Sequence, residues 1–234
     1  MNAAALLSLQ DIDSALSVIA NRRPRLPELV AQQAAAAAMA AHRAKMAVAQ
    51  ARIDGAVAAI ASAEKASAEL TVKRTRLEAQ LKTIIAPREA EALMHQIETL
   101  NNQRGTHDDQ ELAALDEQAE GESQLEALEG QLPALLAALA EAQAALDTAT
   151  AALDAEEASL HGERPQAAGV LNGDEMAAYE RARNHFHGVA IARLEGHRCQ
   201  GCHLDLSPAE MDVVKATPEG NLPECPQCGR FLVR

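Results

Sequence analysis

The sequence predicts a mainly α-helical protein: a long antiparallel coiled-coil helical hairpin followed by a small C-terminal domain built around four cysteines. Three observations carry this prediction. The chain of 234 residues is dominated by the helix-favouring Ala, Leu, Glu, Gln and Arg, and it has no Trp, one Tyr and two Phe. Leucines recur at every seventh position in its second half. All four cysteines lie in its last 36 residues.

The first predicted element is a short helix from Ala3 to Ala20, which Pro24 and Pro27 separate from the next helix. This segment has no basic leader, and the acidic Asp11 falls where a signal peptide is apolar. No stretch is expected to be long and apolar enough to span a membrane, since even residues 31–41 are short and mostly alanine. We therefore expect a cytoplasmic protein without membrane contact.

The second element is a long helix whose apolar residues alternate at spacings of three and four, which is typical of a coiled-coil seam. Alanine occupies many of these positions and would let two helix backbones approach closely. His42 is expected to pack within the seam, and Arg74 to reach across to an acidic partner helix. The seam positions are Met39, His42, Met46, Ala49, Ile53, Ala56, Ile60, Ala63, Ser67, Leu70, Arg74, Leu77, Leu81 and Ile84.

The chain is predicted to reverse direction near residues 84–88. Pro87 cannot continue a helix but suits the first turn of a new one, and Glu89 and Glu91 favour the positive N-terminus of that helix. An alternative turn is the segment 101–105, whose final glycine resembles a helix C-cap.

The third element is a helix from about Pro87 to Leu160, with expected kinks at Gly130 and Pro133. A leucine-zipper DNA-binding helix needs a basic segment just upstream, whereas the segment here is acidic, so the seam is predicted to be structural. The seam positions are Leu125, Leu128, Leu132, Leu135, Leu139, Ala142, Leu146, Ala149, Leu153, Glu156 and Leu160.

The charge of the chain is divided between the two halves of this hairpin. Residues 22–104 hold 13 Lys/Arg and 8 Asp/Glu, a net charge of +5, whereas residues 105–163 hold 15 Asp/Glu and no Lys or Arg. Opposite charges favour two segments that lie against each other. The acidic segment is disfavoured as a nucleic-acid surface, because it would repel phosphates.

Two CxxC pairs predict a metal site with the ligands Cys199, Cys202, Cys225 and Cys228. Two facing CxxC turns supply four thiolates in a tetrahedron, which suits one structural Zn²⁺ and leaves no open position for catalysis. Gly201 and Gly229 are expected to provide the positive φ of such turns. Redox disulfides would need a thioredoxin-like frame, which the sequence lacks. His197 or His203 could replace one cysteine, but four thiolates already suffice.

The flanks of the cysteine pairs predict a zinc ribbon. Residues 189–194 and 230–233 read as short strands, and a helix beginning at Pro208 fills the gap between the pairs. The predicted domains are therefore a coiled-coil hairpin over residues 1–164 and a C4-type zinc ribbon with a preceding short helix over residues 165–234.

Five segments carry further sequence motifs: LLSLQDID at 6–13, PREAEALMHQI at 87–97, YERAR at 179–183, CQGCH at 199–203 and CPQCGRFLVR at 225–234. Together they resemble a bacterial family of coiled-coil hairpin proteins with a C-terminal four-cysteine zinc ribbon. The resemblance covers nearly the whole chain, and the cysteine pairs are its specific part. It implies nucleic-acid binding and protein–protein contacts, with no enzymatic activity.

The ribbon end offers a basic surface despite the net charge of −13. Its candidate nucleic-acid contacts are Arg181, Arg183, Arg193, Arg198 and Arg230. The alternative is that these arginines pair with Glu180, Glu195 and Glu224 in solvent. Phe186 and Phe231 are expected to fill the small core of the ribbon.

These features predict a non-enzymatic protein that binds RNA or DNA through the ribbon and uses the coiled coil as a stalk. No phosphate-binding glycine loop, nucleophile motif or pocket-forming carboxylate pair suggests catalysis. The alternative function is a protein–protein adaptor or chaperone-like factor that acts through the coiled coil in transcription or translation.

Overall fold

The computed structural model describes residues 1–218 and 220–234. Helices dominate it and confirm the predicted fold class. The helices are α1 (Ala3–Arg22), α2 (Pro27–Leu81), α3 (Pro87–Gly169), α4 (Gly173–His185) and α5 (Pro208–Lys215), with a 3-10 turn at Arg23–Arg25. The strands are β1 (Ile191–Glu195), β2 (Arg198–Cys199) and β3 (Phe231–Val233).

The long hairpin consists of α2 and α3, which are joined by residues 82–86. Pro87 is the first residue of α3, so its fixed φ and missing N–H fall where a helix tolerates them. The alternative turn at residues 101–105 is wrong, because this segment lies inside α3. Helix α3 also extends past Leu160 to Gly169, since the seam continues beyond the last leucine of the predicted repeat.

Contacts within the chain define two compact units: residues 1–32 together with 143–234, and residues 33–142. Helix α1 therefore groups with the cysteine-rich end, although the sequence-based division at residues 164 and 165 assigns it to the hairpin. The reason is that Leu6 and Leu9 of α1 pack against residues that follow position 164, although Ile19 packs with Leu26 and Leu153.

Within residues 33–142, small side chains let α2 and α3 approach closely. Ala49, Ala56 and Ala63 are buried on α2. Gly121 lies opposite on α3, where an added Cβ would be 2.9 Å from Ile53 Cγ1. His42 is buried in the seam as predicted, and it also makes a polar contact there. Its Nε2 lies 2.9 Å from the carbonyl oxygen of Leu128.

The seam of α3 begins well before the leucine repeat. Buried or half-buried side chains keep the spacing of three and four through polar residues that a hydrophobic pattern does not reveal. Ser67 of α2 donates to Asp108 of α3 at 3.0 Å, and Arg74 contacts Asn101 at 3.4 Å. These additional positions are Leu93, Ile97, Leu100, Arg104, His107, Glu111, Ala114, Gln118 and Gly121.

Charge complementarity is visible as specific ion pairs between the helices. The Arg52 guanidinium lies 2.5 Å from carboxylate oxygens of both Glu117 and Glu120. In the other unit, Arg23 lies 2.7 Å from both Asp154 and Glu157. Glu157 is half-buried whereas Glu156 is exposed, so the predicted seam position of Glu156 is wrong by one residue.

The N-terminal helix is held to α4 and β1 by a core of Leu6, Leu9, Tyr179 and Ile191. Beside this core, the side chain of Asp13 is only 1% exposed. Gln10 strengthens the same junction: its Oε1 accepts from the N–H of Ala190 at 2.7 Å, and its Nε2 donates to the carbonyl of Gly188 at 2.9 Å.

By length and composition alone, the helical stretch between Ala3 and Leu81 contains one window apolar enough to cross a membrane. The expectation that no such stretch exists was therefore too strict. Alanine accounts for this, because it is apolar enough to satisfy a hydropathy criterion while it also suits the closely packed face of a coiled coil.

Candidate metal centre and nucleic-acid surface

The cysteine-rich end is organised by a three-stranded sheet in the order β2-β1-β3. Strand β1 runs antiparallel to β2, with Leu194 opposite Cys199, and parallel to β3, with Ala192 opposite Leu232. Because side chains alternate along a strand, Ala192 and Leu194 enter the core beside the cysteines while Ile191 packs towards α1. The sheet thus connects the cysteine site to the N-terminal helix.

The two CxxC turns have the same backbone hydrogen bonds. The N–H of His203 donates to the carbonyl of Cys199, and that of Gly229 donates to the carbonyl of Cys225, both at 2.7 Å. The residue after each second cysteine has the left-handed conformation, with φ of 62° at His203 and 76° at Gly229. The sequence prediction is therefore correct for Gly229 and wrong for Gly201.

Gly201 is required for close packing rather than for its φ. A Cβ at this position would lie 2.8 Å from Ala192 Cβ and 2.9 Å from Arg230 Cδ. The backbone of the first cysteine turn can approach β1 and Arg230 only when position 201 carries no side chain.

The four thiols converge on one point. The Sγ atoms of Cys199, Cys202, Cys225 and Cys228 all lie within 4.8 Å of one another, and those of Cys202 and Cys225 are 4.0 Å apart. Tetrahedral Zn–S bonds of about 2.3 Å separate the sulfurs by about 3.8 Å. The donor set therefore fits one structural Zn²⁺ with a closed shell, and within residues 1–218 and 220–234 no histidine joins this cluster.

The surroundings give the thiols different acidities. Burial raises the pKa of Cys225 to about 12, and burial also raises that of Cys202. Burial opposes ionisation of Cys228 as well, but hydrogen bonds from the backbone and side chain of Arg230 hold its pKa below the ordinary value. Metal binding must release protons from the less acidic thiols, so zinc affinity should rise with pH.

Helix α5 fills the gap between the two cysteine pairs. The Ser207 hydroxyl accepts from the N–H of Glu210 at 3.3 Å, and the Glu210 carboxylate accepts from the N–H of Ser207 at 2.7 Å, which makes a capping box. The same carboxylate also binds Gln227 in the second cysteine turn. Val214 is buried in the core with the cysteines, so α5 supports the metal site directly.

Two of the predicted nucleic-acid contacts lie on the face of the sheet that Ile191 directs towards α1. Arg198 on β2 is opposite Glu195 on β1, and Arg193 lies two residues before Glu195. The pleat therefore places all three side chains on one face, and all three are exposed. Arg193 lies 3.8 Å from Asp11, whereas Glu195 accepts a hydrogen bond from Gln200 rather than from an arginine.

Arg183 has a different environment from the other predicted contacts. Its guanidinium lies 3.3 Å from Asp13 and 3.7 Å from Glu180. Arg164 contacts the same two carboxylates at 2.7 Å each. Arg183 therefore belongs to a charge network that joins α1, α3 and α4, which explains its presence without a nucleic acid.

The remaining candidates, Arg181 and Arg230, lie near Phe186. The guanidinium carbon of Arg230 is 5.1 Å from the centre of the Phe186 ring, and its Nε donates to the carbonyl of Val189 at 2.9 Å. Arg181 is exposed. Phe231 packs with the α1 core, but Phe186 belongs to none of the apolar clusters among the described residues, so its expected role as a core residue is wrong.

Two family models match the chain, and together they cover most of it. A CT398-like coiled coil hairpin domain matches residues 9–187, and a C4-type zinc ribbon domain matches residues 198–232. Among curated proteins, MT2288 and Rv2229c of Mycobacterium tuberculosis are each 32% identical over 72 residues. This match spans 31% of the chain and only 29% of each relative.

Solved structures share the fold over almost the whole chain. A protein from Mycobacterium smegmatis has a TM-score of 0.82 at 22% identity, covering 99% of this chain and 96% of its own. CT398 from Chlamydia trachomatis has the same TM-score and identity, with coverages of 98% and 95%. HP0958 from Helicobacter pylori has a TM-score of 0.61 at 14% identity, again with coverages of 98% and 95%.

Proposed function

The chain belongs to the CT398-like coiled-coil hairpin family and ends in a C4-type zinc ribbon, and from this premise we propose that it is a non-enzymatic nucleic-acid-binding protein. The contact surface is the exposed part of the sheet face that carries Arg193 and Arg198. One Zn²⁺ is held by Cys199, Cys202, Cys225 and Cys228 and keeps the two cysteine turns together. Its closed shell assigns it a structural role, so the sheet arginines and not the metal meet the ligand.

The observation that carries this proposal is the pair Arg193 and Arg198, which are both exposed on one face of the sheet. Arg193 is 62% exposed and its only ion pair among the described residues is with Asp11, which is 69% exposed and 3.8 Å away. Such a surface pair contributes roughly 0–1 kcal/mol, so a phosphate can replace the Asp11 carboxylate at little cost. Arg198 is also exposed, and no ion pair involves it among the described residues.

The distribution of charge supports the same surface. Residues 105–163 carry 15 acidic side chains and no Lys or Arg, so phosphates are repelled there. We therefore propose that binding is confined to the ribbon end, with Arg193 and Arg198 as the principal phosphate contacts. Arg183 is left out of this set because its guanidinium is already engaged by Asp13.

The test is a filter-binding series of the full zinc-loaded chain with mixed RNA and DNA at several salt concentrations. The affinity of the natural chain is expected to fall as the salt concentration rises. In the double variant Arg193→Ala/Arg198→Ala, the slope of log affinity against log salt concentration should be smaller in magnitude by roughly 1.4–1.8. The reason is that each lost phosphate contact removes about 0.7–0.9 from this slope. The control is Arg43→Ala/Arg88→Ala, which removes two exposed arginines of the hairpin and leaves the slope unchanged.

The proposal is overturned if the full chain has no affinity at low salt, or if both double variants change the slope equally. The full chain is needed because Leu6 and Leu9 complete the core on which the sheet rests.

A second candidate function is favoured by one observation in the hairpin turn. Ile85 is 97% exposed in the segment 82–86 that joins α2 to α3. No residue of this segment has a positive φ, so the turn does not restrict which side chain occupies position 85. Lys82 and Arg88 are exposed beside it. We propose as the alternative an adaptor that inserts Ile85 into an acid-rimmed pocket of a partner protein, with Lys82 and Arg88 facing the acidic rim.

A photocrosslinking amino acid at position 85 tests the adaptor function, with the same group at Leu136, an exposed apolar residue of α3, as the control. The expected result in growing cells is one discrete crosslinked protein from position 85 alone, lost when Lys82 and Arg88 are changed to Glu. Identical products from both positions, or products insensitive to the charge reversal, contradict the adaptor function.

A further inference from the structure

Phe186 lines a groove of about 480 Å³ between α4 and the second cysteine turn. Arg181 and His185 of α4 form one side of this groove, and Glu224 and Gly229 lie on the other. The volume falls within the range of about 300–1,000 Å³ that is typical of ligand sites.

The aromatic ring in this groove has two side-chain neighbours, Arg230 and His185. The Arg230 guanidinium lies 5.1 Å from the ring centre and is itself tied to the Val189 carbonyl. The His185 ring meets Phe186 edge-on, with centroids 4.6 Å apart. Phe186 and Arg230 thus form an aromatic–guanidinium pair, which we call the platform.

Gly229 brings this platform next to the metal site. A Cβ at position 229 would lie 3.2 Å from Phe186 Cζ, and the φ of 76° also favours glycine there. The ring therefore packs directly on the backbone of the second cysteine turn. Formation of the metal site and positioning of the platform are consequently linked.

The chemistry of the groove suits an unpaired nucleobase. Aromatic rings and guanidinium planes stack on any base, and such platforms beside cationic side chains are typical of proteins that bind single strands. In a duplex the base faces are already stacked on one another and are not accessible. Arg181 is exposed and no ion pair involves it among the described residues, so a phosphate can approach it.

We propose that this groove binds single-stranded nucleic acid, with one unpaired base stacked on the platform and a neighbouring phosphate at Arg181. The inference rests on the proposed function, because it names the form of nucleic acid that the ribbon end recognises. The Glu224 carboxylate repels phosphate from the opposite side of the groove and so orients the strand towards α4.

The variant Phe186→Trp provides a direct reporter, because the chain contains no other tryptophan. The zinc-loaded full-length variant is titrated with an eight-nucleotide deoxythymidine strand, and then with a DNA duplex at equal phosphate concentration. Stacking of a base on the indole is expected to quench its fluorescence in a saturable manner with the single strand and only weakly with the duplex. The control Ile85→Trp places the sole tryptophan in the hairpin turn, where no quenching is expected.

Replacement of the ring separates stacking from simple loss of structure. Phe186→Ala is expected to weaken single-strand binding roughly 5–150-fold, the range that follows from losing one base–aromatic stack. The salt slope should not change, because stacking releases no counterions, whereas Arg181→Ala should lower it by about 0.7. Phe186→Tyr should restore the affinity, and one Zn²⁺ per chain in every variant verifies that the ribbon is folded.

The outcomes distinguish this inference from the function on which it rests. If the full chain binds the single strand through Arg193 and Arg198 but Phe186→Trp is not quenched, the groove is not the base site and the inference alone fails. Equal quenching by the duplex also overturns it. If the full chain binds no nucleic acid at low salt, both the inference and the proposed function fail.

Discussion

Asp13 is a carboxylate of α1 whose three partners come from two other helices, α3 and α4. Tyr179 donates its hydroxyl at 2.8 Å, Arg164 lies at 2.7 Å and Arg183 at 3.3 Å. Burial opposes the charge of Asp13, but these hydrogen bonds and positive charges together hold its pKa below the ordinary value. The pKa of Tyr179 is raised, mainly by burial and secondly by its hydrogen bond to Asp13. The hydroxyl therefore stays protonated and acts as the donor.

We expect Asp13→Asn to lower the free energy of unfolding by about 2–4 kcal/mol at neutral pH, because two arginines lose the charge that they face. Since the folded-state pKa of Asp13 lies below 3.8, its stabilisation is fully present above that pH and is lost as the pH falls through the folded value. Urea unfolding of the natural chain and of Asp13→Asn, at neutral pH and at pH 3, measures the difference in their free energies of unfolding. This difference should be smaller at pH 3. Asp11→Asn, at an exposed position, is the control and should change stability little at either pH.

A second prediction at this scale concerns the metal ligands. Cys225→Ser should reduce bound zinc from one ion per chain to none and unfold the ribbon, since metal binding supplies the folding energy of such sites. The helical circular dichroism of α2 and α3 should persist, because their seam contains no metal ligand. Metal analysis and circular dichroism test this expectation.

The control for that variant is His197→Ala. Its Nε2 lies 3.9 Å from Asp205, and this variant should retain one zinc ion. Loss of zinc in His197→Ala, or zinc retained in Cys225→Ser, contradicts the assigned ligands.

At the residue scale, the sequence predicted what depends on local spacing. The cysteines of each pair are three positions apart, with two residues between them, so their convergence follows from one turn repeated twice. Asp13 and Tyr179 are separated by 166 positions, and no periodic pattern indicates that they meet. The left-handed residue of the first turn was missed because His203, rather than a glycine, adopts that conformation.

At the scale of the elements, the hairpin depends on where small side chains face each other. Gly121 lies in the seam against Ile53, whereas Gly130 is on α3 with no atom within 4 Å of an added Cβ. Both glycines lie in the same helix, so they form a matched pair in which helix propensity is equal and packing differs.

We expect Gly130→Ala to stabilise the hairpin by about 0.5–1 kcal/mol, the gain from replacing glycine inside a helix. Gly121→Ala should gain nothing or lose stability, because the new Cβ displaces Ile53, and Gly121→Val should lose about 1–3 kcal/mol through overpacking. Thermal unfolding followed by circular dichroism tests the series. Equal stabilisation by both alanine variants would show that the helices are not in close contact at Gly121.

The elements also show where a hydrophobic pattern stops being informative. The leucine repeat located the seam of α3 from Leu125 onwards, and the structure extends it back to Leu93. The intervening seam residues include Arg104, His107 and Glu111, which are only partly buried. Arg104 contacts Asp108, and His107 contacts Gln110. Periodicity of apolar residues cannot detect such positions, although the spacing of three and four continues through them.

At the scale of the whole molecule, the first residues of the chain complete the core of the last ones. Leu6 and Leu9 are fully buried with Tyr179 and Ile191. The sequence-based division placed α1 with the hairpin, in residues 1–164. Contacts group it with the ribbon end, and this could not be predicted without knowing which apolar residues α1 meets.

We expect Leu9→Ala to destabilise the ribbon by about 2–5 kcal/mol, as is usual for a buried leucine. Zinc should then transfer to a competing chelator faster than from the natural protein, although Leu9 is not near a cysteine in the sequence. Val18→Ala, at a 63% exposed position of the same helix, is the control and should leave the transfer rate unchanged. An unchanged rate in Leu9→Ala would mean that α1 and the metal site unfold independently.

The burial of α1 against the ribbon also sets an order of events during synthesis. Asp13 leaves the ribosome long before Tyr179, which lies 166 residues further along the chain. At translation rates of about 5–20 residues per second this delay is roughly 8–33 s. Over that interval α2 and α3 can already pair across their short turn, while Leu6 and Leu9 remain without their final neighbours. The apolar face of α1 therefore lacks its final neighbours until Tyr179 and Ile191 have been synthesised.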